Sequence, residues 1–276
     1  MNLYHQTRCV FSRNGRILAT SLVSRASTSA SPEYFSPEEV KSEPLYSSHI
    51  KTNCLQKVVL SVGSSVVSII DPWRHDMVAV FGETTGEFAL RDMYKKMRKS
   101  SEGRQILVDK PVINTKTVDF DFLKSLPLNS FGHTYASFME SNRITPDSRA
   151  PVKFVDDSEL AYVMKRYREI HDIVHCLCGM NTNILGEVTV KWVEALQTNL
   201  PMTWAAGLFG GIRLSPAQRK LYKQTYLPWA LKCGHEADLF MNVYFEKKWT
   251  QSVHDLRLEL KIPPLIQESR PVKVKD

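Results

Sequence analysis

The 276-residue chain has no run of about 18 apolar residues, the length a helix needs to cross a bilayer. Its nearest attempt, residues 58–70, is too short and carries Ser61, Ser64, Ser65 and Ser68, so it is expected to be a buried core helix. A cysteine framework is missing as well. Cys9 falls in the Arg-rich start, Cys54, Cys176, Cys178 and Cys233 show no CxxC spacing and no regular pattern and read as thiols, and Cys176 and Cys178 read as small buried residues. Sustained strand-like alternation is absent, and so are internal repeats. Residues 1–32 hold no Asp or Glu, yet they hold Arg8, Arg13, Arg16, Arg25 and six serines. An Arg-rich, Ser-rich, acid-free start is the signature of a mitochondrial transit peptide. Arg13 and Arg16 interrupt the apolar stretch that a secretory signal would need. Setting those four arginines aside lowers the formal net charge from +7 to +3, which does not indicate a nucleic-acid binder.

What is present suits a globular protein: 43% hydrophobic and 24% charged residues, enough for a sizeable core. The expected organisation is a transit peptide over 1–32, a linker over 33–44, an all-α domain over 45–265 and a tail over 266–276. Leu55, Val58, Val59, Val62, Val66, Ile69 and Ile70 recur at spacings of three and four. Asp71-Pro72 ends that helix and starts the next. Helical patterns follow after Thr84, over 119–126 and 132–142, then a polar, proline-containing loop to residue 155. Asp157 opens a long helix that Gly179 closes, and a second runs from Ile184 to Leu196 ahead of Pro201. Ser215-Pro216 starts another. The last is expected to begin with Phe240, Val243 and Tyr244, before Pro263 and Pro264 end regular structure.

The long helix places chemistry at one spot. His171 and His175 are one turn apart, about 40° around the axis, so both imidazoles can reach one ion. Asp172 lies about 60° from His175 on the other side. It can add a carboxylate ligand or orient an imidazole from behind. Gly179 lets the chain turn and Glu187 returns on the next helix. Two imidazoles with one or two carboxylates suit zinc first, with iron, cobalt or manganese as alternatives. Polar histidines with no ion would explain a bare HxxxH pair. Burying all four residues without partners would cost several kcal/mol, and that favours the ion. Peptidase chemistry does not fit. The HExxH base would be a glutamate where this chain has Asp172.

The stretch HDxxH, eleven residues, then Glu lies in RYREIHDIVHCLCGMNTNILGEVTVKWVEALQTNLPM, residues 166–202. It resembles the family of coenzyme Q biosynthesis protein four. So do LQKVVLSVGSSVVSIIDPWRHDMVAVFGETTG (55–86), TPDSRAPVKFVDDSELAYVMKRYRE (145–169) and WAAGLFGGIRLSP (204–216), together spanning roughly 45–265 in the family's order. The resemblance implies an all-α fold with a divalent ion on His171, Asp172, His175 and Glu187. It implies a peripheral place on the matrix side of the mitochondrial inner membrane, among other ubiquinone-biosynthesis enzymes in a multi-subunit complex. The implied activity is C1-decarboxylation of a polyprenylated 4-hydroxybenzoate-type acid, with or without coupled hydroxylation. Removing CO2 from an aromatic acid needs charge drawn off the carboxylate and a proton delivered to the ring. Oxygen insertion would need a redox-active ion, which zinc alone is not.

Other candidates are weaker. Arg168, three residues before His171 on the same face, could hold a substrate carboxylate or simply pair with an acid. His75 and Asp76 look family-typical and suit roles at a helix start. The apolar, glycine-bearing segment 204–212 reads equally as core or as a membrane-dipping, tail-binding surface. A non-catalytic lipid-binding scaffold with a structural ion is the alternative function.

Overall fold

Short polar side chains open most of the helices in a computed structural model of the chain, which describes residues 44–71 and 74–265. Asn53 forms a reciprocal capping box with Gln56 at the start of α1 (Cys54–Ile70). Then come α2 (His75–Thr85), α3 (Glu87–Lys99), α4 (Ser101–Asp109), α5 (Phe120–Ser125) and α6 (Phe131–Asn142). Ser100, Asp119 and Ser130 each accept the exposed amide at the start of α4, α5 and α6. Asp157 caps α7 (Ser158–Cys178), and Asn183 caps α8 (Ile184–Thr198). Pro201 occupies the first turn of α9 (Pro201–Gly210), where its missing N–H costs nothing. α10 (Pro216–Leu221) runs through a π turn, Tyr222–Tyr226, into α11 (Leu227–Glu236). Pro228 cannot donate a hydrogen bond and its ring crowds the preceding turn; the wider π turn accommodates both. α12 (Val253–Glu259) is last. Among the described residues no strand forms, and the architecture is all-α, as the sequence pattern implies. The expected transit peptide (1–32), all but the last residue of the linker and the tail (266–276) lie outside the described residues.

α7 is the axis of the fold. Apart from Ser158, Glu159 and Lys165 all its residues are buried, so it is a core helix on every side. α3, α6 and α8 pack around it. Its apolar residues join one core with Leu90 and Met93 of α3, Tyr135 of α6 and Val193 of α8. Its charged residues are paired. Arg166, fully buried, donates to Glu246 and to the Val243 carbonyl (3.0 Å). Arg168 donates to Glu83 (2.7 Å) and to the carbonyls of Ala79 (3.1 Å) and Ala150 (3.2 Å).

Two expectations fail. Residues 58–70 do form a helix, but not a buried one. Leu55, Val58, Val59, Val62, Val66, Ile69 and Ile70 are exposed, and Ser64 is the buried residue of α1. The reason lies in the serines. Small side chains let α1 approach α2 closely, and the hydroxyls of Ser61 and Ser68 return to carbonyls one turn back at 2.7 Å, so the polar side can face inward. The second failure is at Phe240. Residues 240–247 form two 3₁₀ turns, and the last helix starts only at Val253. Phe240, Val243 and Phe245 are buried because they pack into the core, not because of helical period.

Glu169 is the poorly matched carboxylate of α7. Burial pushes its pKa up to about 7, against the help of Lys165 at 3.7 Å, and its Oε2 has no hydrogen-bond partner. A folded-state pKa above the unfolded value means stability is present at low pH and lost as pH rises through about 7. Glu169→Gln is expected to melt higher than wild type at pH 8.5, by about 1–2 kcal/mol, with the difference vanishing toward pH 5. Circular-dichroism melts at the two pH values check it; a gain independent of pH would disprove the buried-carboxylate account.

Candidate metal centre

His171 and His175 project from the last turns of α7 with ring centroids 4.8 Å apart and planes at 84°. The turn that follows brings Glu187 to them. Gly179 adopts φ +65°, the left-handed conformation glycine tolerates, and the amides of Gly179 and Met180 close the helix on the carbonyls of Cys176 and His175. Gly186 starts α8 so close to the turn that a Cβ would sit 1.9 Å from the Asn181 carbonyl oxygen. With both glycines in place, Glu187 arrives in the first turn of α8. Its Oε2 lies 3.6 Å from His171 Nε2 and its Oε1 lies 3.4 Å from His175 Nε2. One donor atom from each of the three lies within 4.8 Å of the others.

This geometry fits an ion. Ligands bonded at about 2.0 Å around a tetrahedral ion stand about 3.3 Å apart, a little less than the two histidine–glutamate separations. The histidine tautomers are set for it. His175 Nδ1 is 3.2 Å from the Met180 carbonyl, to which it donates. The lone pair on Nε2 is therefore free, and that atom is buried with no hydrogen-bond partner. His171 Nδ1 is 2.6 Å from Glu194 Oε1, while Glu194 Oε2 accepts from Tyr167 (2.7 Å) and Lys191 (2.8 Å). A carboxylate behind a ligating imidazole orients the ring and strengthens it as a donor.

The electrostatics agree. Burial opposes ionisation of Glu194, but Lys191 and His171 outweigh it and hold the carboxyl far below its ordinary range. Burial raises the Tyr167 phenol, so it stays a donor. Burial and Lys191 oppose a charge on His171, yet Glu194 and Glu187 prevail and raise its pKa. Glu187 is lowered against burial by the two histidines. The His175 side chain is 1% exposed and that of Glu187 is 38%, so the cluster opens on the α8 side.

The other sequence candidates sit differently. Asp172 lies beside the cluster, but its carboxylate is ion-paired with Arg149 and it is not part of the three-residue group. Arg168, read from the sequence as holding a substrate carboxylate or pairing with an acid, pairs with Glu83. His75 opens α2, and Asp76 pairs with Arg74 at the exposed start of that helix. Glu194, Lys191, Tyr167 and Arg149 were not singled out from the sequence. A signal existed for two of them: Glu187, Lys191 and Glu194 follow one another at spacings of four and three, which is one helical face.

Glu194→Gln is expected to weaken zinc binding about 10–100-fold without loss of helix content. In the wild type the ion must displace a proton from His171, so affinity falls as pH drops through that raised pKa and levels off above it. Chelator competition at several pH values measures both; an unchanged affinity in the variant would remove Glu194 from the site.

Residues 46–265 match the family described as coenzyme Q (ubiquinone) biosynthesis protein Coq4. Relatives named mitochondrial ubiquinone biosynthesis protein COQ4 homologues are 52% identical in Aedes aegypti (91% of this chain, 93% of the relative) and 50% in Drosophila virilis (91% and 96%). A third, in Anopheles gambiae, is 54% identical over 77% of this chain and 76% of its own. A crystal structure from Nostoc punctiforme PCC 73102, of a protein provisionally assigned to ubiquinone biosynthesis, aligns with TM-score 0.60 at 20% identity. It covers 78% of this chain and all of the other, which shows a shared fold. On the family match and the curated relatives together, this chain belongs to the Coq4 family of ubiquinone biosynthesis proteins.

Proposed function

We propose that the chain serves ubiquinone biosynthesis as a divalent-metal-dependent carboxy-lyase. Its substrate is a 4-hydroxy-3-methoxy-5-polyprenylbenzoate-type acid and its product the polyprenyl methoxyphenol, with or without coupled hydroxylation at C1. The observation that carries this reading is the buried, partnerless Nε2 of His175 facing Glu187, beside a His171 held by a carboxylate. His171, His175 and Glu187 hold the ion, zinc first, and the family resemblance adds Asp172. When bound, the ion supplies Lewis acidity that offsets the charge of the ring carboxylate. The chain's own groups do the rest. Glu194 and the Met180 carbonyl fix the two imidazoles. As the C–C bond to CO2 breaks, its electron pair stays on the ring carbon and takes up a proton. Lys191, with its ammonium 3.3 Å from His171 Nδ1 and its side chain 18% exposed, keeps an exchangeable proton in this network. A cleft of about 360 Å³ beside α8, lined by Trp192, Leu208, Ile212 and Tyr222, suits the first part of an apolar tail.

The same reading places the protein at the matrix face of the inner membrane, with other enzymes of the pathway. No described helix is long and apolar enough to cross a membrane. The support is the outward apolar stripe of α1, joined by exposed Leu208, Phe209 and Ile212 at the end of α9. Arg213 ties the two by donating to the carbonyls of Ile69 (2.6 Å) and Ile70 (2.9 Å). Between Glu194 and Glu236 the chain has no acid but carries Arg213, Arg219, Lys220, Lys223 and Lys232, a balance that suits anionic lipid.

Metal-loaded protein is expected to release CO2 from the prenylated acid, and Glu187→Ala to lose both the ion and turnover. Turnover by that variant with no metal bound sinks the lyase reading. Unfolding of wild type on metal removal, with no turnover when loaded, favours the scaffold. In a second test, wild type should float with cardiolipin-containing vesicles. The pair Val58→Asp and Val62→Asp should remain in the pellet with an unchanged melting temperature; equal flotation would rule out α1 as the contact.

A further inference from the structure

Arg168 and Glu83 have a job that is visible in what else they touch. Arg168 donates to the Ala150 carbonyl, and Glu83 Oε2 accepts the amides of Lys153 (2.8 Å) and Phe154 (2.7 Å). This buried pair therefore clamps the segment 150–154 against α2 and α7. Just before the clamp, Thr145 caps the 3₁₀ turn Pro146–Ser148, and Pro151 stiffens the exit. Arg149 lies between the two fastenings. Its guanidinium meets Asp172, the neighbour of His171, and the charges of Glu187 and Glu194 act on it too. Its Nε is buried without a hydrogen-bond partner. The Arg149 side chain remains 31% exposed while that of Asp172 is 6% exposed. Arg149 and Glu187 are thus the members of the cluster that a ligand can approach.

We propose that Arg149 is the anion receptor of this site, with Asp172 as the counter-ion that positions it. The ligand class is an aromatic carboxylate, and the inference rests on the metal-dependent ring-acid reading above. A guanidinium fork matches a carboxylate better than any other side chain does, and an unpaired buried N–H is a donor that lacks its acceptor. The charge count points the same way. Three carboxylates (Asp172, Glu187, Glu194) face two cations (Arg149, Lys191), so a divalent ion leaves the site with one positive charge. One monoanionic substrate neutralises it; a neutral phenol, the product after CO2 is lost, does not.

The test uses the full zinc-loaded chain and isothermal titration with 4-hydroxybenzoate carrying a short prenyl chain, alongside its uncharged methyl ester. Wild type is expected to prefer the acid. Arg149→Met should weaken acid binding about 10–100-fold, leave ester binding unchanged and keep full zinc stoichiometry, with Arg149→Lys in between. Zinc-loaded Asp172→Asn should bind the acid more weakly. Acid binding by Arg149→Met and Arg149→Lys equal to wild type overturns the assignment, and acid binding by zinc-loaded Asp172→Asn equal to wild type overturns the positioning role. Wild type that holds zinc but binds acid and ester alike overturns the ring-acid reading itself, and a wild type that holds no zinc overturns the metal site beneath both.

Discussion

Charge buried in α7 is the constraint on which the rest of the structure hangs. The helix is enclosed on nearly every side, yet it carries Arg166, Arg168, Glu169, His171, Asp172 and His175. An ion left unpaired in such surroundings costs several kcal/mol, so the neighbours of α7 are dictated as much by its charges as by its apolar surface. Glu246 must come to Arg166, Glu83 of α2 to Arg168, Arg149 to Asp172, and α8 must bring both Glu187 and Glu194 to the histidines. These pairings fix how α7 is rotated in the core. They also distribute the work. Arg166–Glu246 anchors the segment between α11 and α12, Arg168–Glu83 clamps the loop before α7, and the last two turns carry the candidate metal cluster.

Much of this was legible in the sequence because helices announce themselves locally. Asp157 and Ser215 cap the helices they look like caps for, and Gly179 ends α7 as its position suggests. The His171, His175 and Glu187 cluster follows from one turn of helix and the turn at Gly179, while the close approach at Gly186 shows only in the structure. What could not be read depends on contacts distant in sequence. No local pattern shows that Asp172 finds Arg149, or that Arg168 is taken by Glu83, 85 residues away. The stripe in α1 was read with the right period and the wrong sense. Periodicity gives a face, not a direction, and the default that apolar means inward fails where serines make the tighter helix contact. The 3₁₀ turns after Leu239 have no period at all to read.

The outward stripe and the ion cluster are connected through α8 and α9. α9 packs on α8, α1 and α2, so the exposed apolar surface and the helix that supplies Glu187 and Glu194 share one wall. For a substrate with a charged ring and a long apolar tail this is an economical layout. Under the proposed function the tail would stay in or near lipid while only the ring crosses into the polar cluster. A fully buried site would force the whole tail out of the bilayer first, at roughly 0.8 kcal/mol per methylene.

The role of the proposed ion can be argued from how the two histidines are held. His175 is fixed by a backbone carbonyl, which sets direction without adding charge; His171 is fixed by a carboxylate, which adds both. Neither restraint needs an ion. The helices around them are secured by the packing of Ile173, Leu177, Val190 and Val193 and by the salt bridges of Arg166 and Arg168. A structural zinc site in a small domain is the reverse case, where the ion itself supplies much of the folding free energy. Here the polypeptide holds its ligands in place at its own expense, including a buried nitrogen with no hydrogen bond. Such a cost is expected of a site that must bind an ion in a set geometry and present it to a substrate, so the arrangement favours an ion that acts on a ligand over one that merely staples the fold.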